Sequence, residues 1–191
     1  MPGNVAPAAS ERDALVGFLA QQRYAVRLSA YGLTDEQARK SAPPSSLSVG
    51  GLIKHLSQVE WFWTDIVLEQ VEGIGSGAEH AAGFILGADE TLKGAMERYE
   101  ESCARTDEVA ASIGDLGYLV PIPKEVPWFP KDVDNWSLRW VLLHLIEETA
   151  RHAGHADMVR EATDGATAFP LMAAAEGWQE SPFVKPWQPA P

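Results

Sequence analysis

The residues of this chain most able to do chemistry lie in one stretch, Leu138, Val141, Leu145, Glu148, His152, His155 and Val159. They recur at spacings of three and four, the inner seam of a packed helix. Its first three positions and its last are aliphatic, and the middle three are Glu, His and His. A carboxylate on an apolar face, with no partner, costs several kcal/mol or takes up a proton. A divalent first-row metal removes most of that cost, because carboxylate oxygen and imidazole nitrogen both ligate it. Glu148 and His152 stand four residues apart, one turn above the other, so both can reach one ion.

A third ligand must come from another apolar helix face. Five histidines exist: His55, His80, His144, His152 and His155. His55 shares a helical stripe with Leu52, Leu56, Val59, Phe62, Trp63 and Ile66, which makes it the natural partner. His80 falls in a glycine-rich stretch expected to be exposed, and His144 lies one position off the seam. A two-His, one-carboxylate set leaves coordination positions open for water or substrate, as in catalytic rather than structural sites. Spacing alone also admits His144 with Glu148, or His152 with His155, as ligand pairs. It equally admits a buried Glu–His hydrogen-bonded network or a wet cleft with no metal. His155 and His144 are candidate proton-transfer groups. Trp61, Phe62 and Trp63 form either core packing or the wall of a substrate pocket. Arg151 and Arg160 can hold carboxylates of a thiol or substrate, or be plain surface charges.

Four amphipathic helices must position these groups. The first is expected over 11–31, capped by Ser10 and carrying Leu15, Leu19, Val26 and Leu28, with Phe18 and Tyr24 beside them. Thr34 and Gln37 form a capping box for a short helical turn. The second long helix is expected over 49–71 after Ser46 or Ser48, and the third over 89–112. The fourth opens after Ser137 and runs to about Thr163, with Gly165 near its end. Residues 72–87 read as loop. The connection 114–135 is proline-punctuated, with room for a short extended segment but no central strand, and its length suits a lid. Met1 to Ser10 read as disordered. Residues 167–191 show no clear period, but their aromatics suit a tail packed on the bundle. The pattern specifies an all-α four-helix bundle over 11–165, with a tail at 166–191.

Composition excludes several function classes. The 191 residues carry 15 Lys+Arg against 27 Asp+Glu, a formal charge of −12. That balance argues against nucleic acid and against anionic membranes. A lone cysteine, Cys103, excludes an internal disulfide and any multi-Cys metal site, and its place on the third helix's seam reads as inert core. The chain start shows no secretory pattern and no apolar run suits a membrane span, so a cytoplasmic protein is expected. Neither a monomer nor a homodimer is specified.

The motifs around His55 (Gly50, Gly51, Leu52, Ile53, Lys54, His55, Leu56) and from His144 to Asp157 resemble the DinB-like superfamily. Within it they are most similar to the actinobacterial branch related to mycothiol-dependent maleylpyruvate isomerase. The resemblance spans about residues 10–165. It implies a four-helix bundle with a divalent metal, often zinc or nickel, on three side chains. The usual set is three histidines. Here Glu148 replaces one, as in the isomerase branch, and the resemblance assigns the ligands as His55, Glu148 and His152. The isomerase carries a further C-terminal domain, whereas here residues 166–191 follow the fourth helix. The expectation is therefore not maleylpyruvate isomerisation but a thiol S-transferase or detoxification activity, with a mycothiol-like thiol and an electrophile as small-molecule partners. The competing expectation is a non-catalytic metal- or small-molecule-binding stress protein of the same family.

Overall fold

The computed structural model of the protein describes residues 3–71 and 77–189. Four long helices dominate: α1 (Glu11–Ser29), α3 (Val49–Val67), α5 (Leu92–Ser112) and α6 (Leu138–Asp164). Shorter elements join them: α2 (Asp35–Arg39), α4 (Gly77–Gly83), strands β1 (Leu119–Pro121) and β2 (Asn135–Ser137), and α7 (Ala168–Ala175). The architecture is the all-α bundle that the hydrophobic periodicity specifies.

The helix starts follow from local chemistry. Ser10, Ser48, Thr91 and Ser137 each accept a hydrogen bond from a first-turn amide, satisfying a donor with no helical partner. Thr34 and Gln37 form the reciprocal capping box. Gly165 ends α6 at φ +77°, a conformation that L side chains rarely adopt.

Among the described residues, packing gives the core two large clusters besides a small one at α7. One gathers Leu15 and Leu19 of α1, Trp63 and Ile66 of α3, and Leu138 to Leu145 of α6. The other gathers Val26 of α1, Ile53 and Leu56 of α3, Tyr99 of α5, and Ala153 and Val159 of α6. The end of α3 thus meets the start of α6, which makes these two helices antiparallel. Glu148 and His152 fall between the two clusters along α6.

Several boundaries differ from the periodic reading. α3 ends at Val67 rather than near Val71, where Glu69 turns to φ +57°. α5 begins at Leu92 because Thr91 is the cap. The stretch expected as loop before it contains α4, while residues 72–76 of that stretch lie outside the described residues. The proline-rich connection pairs its ends as a two-stranded antiparallel ribbon, Val120 opposite Trp136. With two strands both are edges, so Pro121 sits there at no ladder cost.

The segment before α1 lies along that helix instead of standing free. A Cβ on Gly17 would meet Val5 at 3.0 Å, and Gln21 donates to the Gly3 carbonyl at 2.9 Å. Met1, Pro2 and the last two residues lie outside the described residues. After α6, Leu171 and Met172 of α7 pack with Leu28 of α1, and Trp187 packs against the same group.

Candidate metal centre

Two facing helices bring the three seam residues together. His55 projects from α3, and Glu148 and His152 project from α6 one turn apart. His55 Nε2 lies 3.3 Å from Glu148 Oε1, and His152 Nε2 lies 3.2 Å from the same oxygen. The three donor atoms all fall within 4.8 Å of one another. Both imidazoles are buried and the carboxylate is half-buried. The hydrogen bonds from His152 and then His55 hold the Glu148 carboxyl far below the usual carboxylate range. Burial pushes the His55 imidazole down, against the pull of Glu148.

This arrangement fits a divalent ion. Two donors each about 2.1 Å from one metal stand about 3.0–3.4 Å apart at ordinary ligand angles. The Glu148–His55 and Glu148–His152 separations lie in that range. Two imidazole nitrogens and one carboxylate oxygen also form a donor set suited to zinc or nickel.

The neighbours of the three residues set their orientation. His155 Nδ1 lies 3.3 Å from His152 Nδ1, on the ring nitrogen that does not face Glu148. That contact restrains the ring angle of His152. Phe84 stacks on His55 with ring centroids 3.8 Å apart. Gly50 and Gly51 permit this approach: a Cβ on Gly51 would lie 1.9 Å from the Phe84 carbonyl oxygen, and one on Gly50 would lie 2.6 Å from Leu86. His80, exposed on α4, places its ring edge-on to His55 at 5.8 Å.

A cavity of about 530 Å³ opens beside His55 and Glu148. Phe62, Trp63, Trp128 and Phe129 supply its aromatic wall, and Gln58, Val59, Glu79, His80 and His144 complete it. Trp63 anchors this wall in the core, touching Phe129, Trp136 and Trp140 at centroid distances of 5.2–5.6 Å. His144 packs 4.5 Å from Trp63 and stacks at 4° on Trp140. Burial pushes its imidazole pKa down.

Other expected site residues lie elsewhere. Trp61 is half exposed outside this cavity, beneath the Arg105 guanidinium at 4.3 Å. Arg151 is exposed and pairs with Glu147 one turn away at 2.7 Å. Arg160 corrects its expected substrate role. It is fully buried, donating to Asp164 at 2.9 Å and to the carbonyls of Ser29 and Tyr31 at 2.8 and 2.7 Å, with Trp187 over its guanidinium. It ties the end of α6 to the end of α1. His155 contacts His152 and is not on the cavity wall. Sequence reasoning missed Phe84, Trp128 and Phe129. The paired glycines at the start of α3 were the one signal for Phe84.

The all-α bundle is that of a DinB-like protein. Within that class the chain belongs to the mycothiol-S-transferase family, which it matches over residues 14–165. No curated protein matches it significantly. The fold is similar to the crystal structure of the conserved protein of a locus from Enterococcus faecalis. That likeness has a TM-score of 0.63 at 15% identity, covering 83% of this chain and 100% of the other. Among the described residues no helix is long and apolar enough to cross a membrane.

Proposed function

We propose that this protein is a cytoplasmic, metal-dependent thiol S-transferase. It joins a low-molecular-weight thiol of the mycothiol kind to an electrophilic small molecule. His55, Glu148 and His152 are the metal ligands, with zinc the first choice of metal and nickel the second. The observation that supports this most strongly is the convergence of two imidazole nitrogens on one Glu148 oxygen, beside an aromatic-walled cavity.

A divalent ion bound there supplies the Lewis acidity that lowers a thiol's pKa toward neutrality. The protein's own groups do the rest. His144 faces the cavity, and its lowered pKa keeps the ring neutral near neutral pH. A ring nitrogen can then accept the S–H proton. The sulfur electron pair forms the C–S bond, and the leaving group departs with its own bonding pair. Phe62, Trp63, Trp128 and Phe129 hold the electrophile flat and exclude water. His155 acts on His152 rather than on substrate, so its role is positioning.

Elemental analysis of untagged protein purified without chelator tests the metal centre, with His152→Ala beside it. Near-equimolar zinc or nickel, lost in the variant, supports the reading. Folded protein that holds no metal and takes up none when it is added overturns it. Metal-replete protein that transfers no thiol to any electrophile class points instead to a non-catalytic binder of metal or small molecules.

A further inference from the structure

The cavity beside the metal centre uses only part of the aromatic triplet Trp61, Phe62 and Trp63. Consecutive residues on a helix are turned by about 100°, so the three rings fan across α3. Trp63 is buried and walls the cavity, and Phe62 borders it. Trp61 instead lines a groove of about 380 Å³ whose walls come from α3 and α5. Phe62 and Gln58 line both hollows, so the groove and the cavity adjoin across these two side chains. None of His55, Glu148 and His152 lines the groove, so an ion held by them lies outside it.

The groove is built on one indole whose position is set by the protein. Trp61 is 48% exposed, and the Arg105 guanidinium packs 4.3 Å from its ring centroid. Asp65 holds Arg105 at 2.6 Å, so the ring is backed before any ligand arrives. The charges around the ring balance: Asp65 and Glu101 are two carboxylates, and Arg98 and Arg105 are two guanidiniums. Arg98 reaches Glu90 at 3.2 Å. A carboxylate has two acceptor oxygens and a guanidinium five N–H donors, so such pairs leave capacity for a ligand.

This setting selects a ligand chemistry. A ligand with a full charge meets a repulsive group for each attractive one. A hydroxyl group both donates and accepts, so it can use carboxylate oxygens and guanidinium or amide hydrogens together, with no net charge to desolvate. The weakly positive C–H face of a saturated ring suits the negative face of the indole. The volume falls within the range of about 300–1,000 Å³ usual for small-ligand sites.

We infer that the α3–α5 groove is a second binding site, separate from the metal centre, for a neutral polyhydroxylated ring of the sugar kind stacked on Trp61. Through Gln58 and Phe62 one ligand can place such a ring in the groove and another group in the cavity. The inference stands on the groove and does not need the transferase reading.

Proton–nitrogen NMR of the protein as purified tests it, with methyl glucoside as the neutral probe and glucosamine and glucuronate as its cationic and anionic counterparts. The seven tryptophans each carry an indole N–H, and the signals missing from Trp61→Phe and Trp63→Phe assign the groove and cavity rings. Methyl glucoside is expected to move the Trp61 signal saturably. At that signal it should bind at least about threefold more tightly than either charged probe, about 0.65 kcal/mol. Trp61→Ala should weaken binding at least about tenfold, about 1.4 kcal/mol, read at the Glu101 amide. Glu101→Ala, at an exposed position, should weaken it about threefold, read at the Trp61 signal. No saturable shift at Trp61, a shift confined to Trp63, or a charged probe bound at Trp61 as tightly as the neutral one overturns the inference. Thiol transfer enters none of these readings, so its absence sinks the transferase reading alone, and a silent Trp61 signal sinks the groove alone.

Discussion

Gly51 and Phe84 make a backbone contact that no larger residue permits, since a Cβ at Gly51 would lie 1.9 Å from the Phe84 carbonyl oxygen. The contact presses the Phe84 ring onto His55 at 3.8 Å. Gly51→Ala must push the chain at Phe84 away from α3. The expected outcome is a loss of about 1–3 kcal/mol in stability, typical of overpacking, together with weaker metal binding. Denaturant unfolding and a metal titration check the two parts.

Glu148 is the shared partner of both histidines, so its charge matters more than its shape. Glu148→Gln keeps the size and removes the anion. Metal affinity is expected to fall by at least about tenfold, the low end for a lost ligand or its partner. His155→Ala, which removes only the contact to His152 Nδ1, is expected to have a smaller effect in the same direction. Competition with a chromogenic chelator ranks the two variants.

Away from the site, Arg23 and Glu60 form a buried two-point ion pair at 2.6 and 2.7 Å, joining α1 to α3. Thr106 of α5 donates to the same carboxylate at 2.6 Å. Glu60→Ala leaves a guanidinium buried without its main partner and is expected to cost about 3–5 kcal/mol. The double variant Arg23→Met with Glu60→Leu should recover much of that loss, because the pair's own desolvation cost goes with it. Thermal unfolding of the three proteins gives the comparison.

The metal-free protein should lose stability on acidification. Burial holds His55 and His144 below the ordinary imidazole value of 6.5. Between those lowered values and 6.5 the unfolded chain binds protons that the folded chain does not, so stability rises with pH through that window. Glu148 adds the same sign lower down. Its contribution is complete above the ordinary carboxyl value of 4.5 and is lost as pH falls toward the folded value. Tm of chelator-treated protein is therefore expected to drop from about pH 7 to about pH 5, as scanning calorimetry would show. A flat profile contradicts the burial of these imidazoles.

Cys103 is expected to resist alkylation in the folded protein. Burial, and then the nearby Glu60 carboxylate, push its thiol up to about 12. Mass spectrometry after iodoacetamide treatment at neutral pH should find it modified only once the chain is unfolded. Rapid modification of folded protein would mean that the α3–α5 interface opens.

The helices, and the apolar stripes that carry His55, Glu148 and His152, were legible in the sequence because both depend on local repetition; the choice of these three over His144 and His155 came from the family resemblance. Spacings of three and four place Leu138, Val141, Leu145, Glu148 and His152 on one stripe whatever surrounds them, and a capping serine or threonine acts within a single turn. His55 was legible for the same reason on its own stripe. The rest depended on groups distant in sequence. Arg151 and Arg160 look alike in the chain, yet one faces water and the other closes on Ser29, Tyr31 and Trp187. Trp61 and Trp63 differ by two positions, which on a helix is more than half a turn, and only the packing of α6 and the proline-rich connection decided which ring walls the cavity. Phe84, Trp128 and Phe129 come from connections with no period, whose course is set by what they pack against. Periodicity specifies which face of a helix is apolar; tertiary contact decides which side chains from elsewhere meet it.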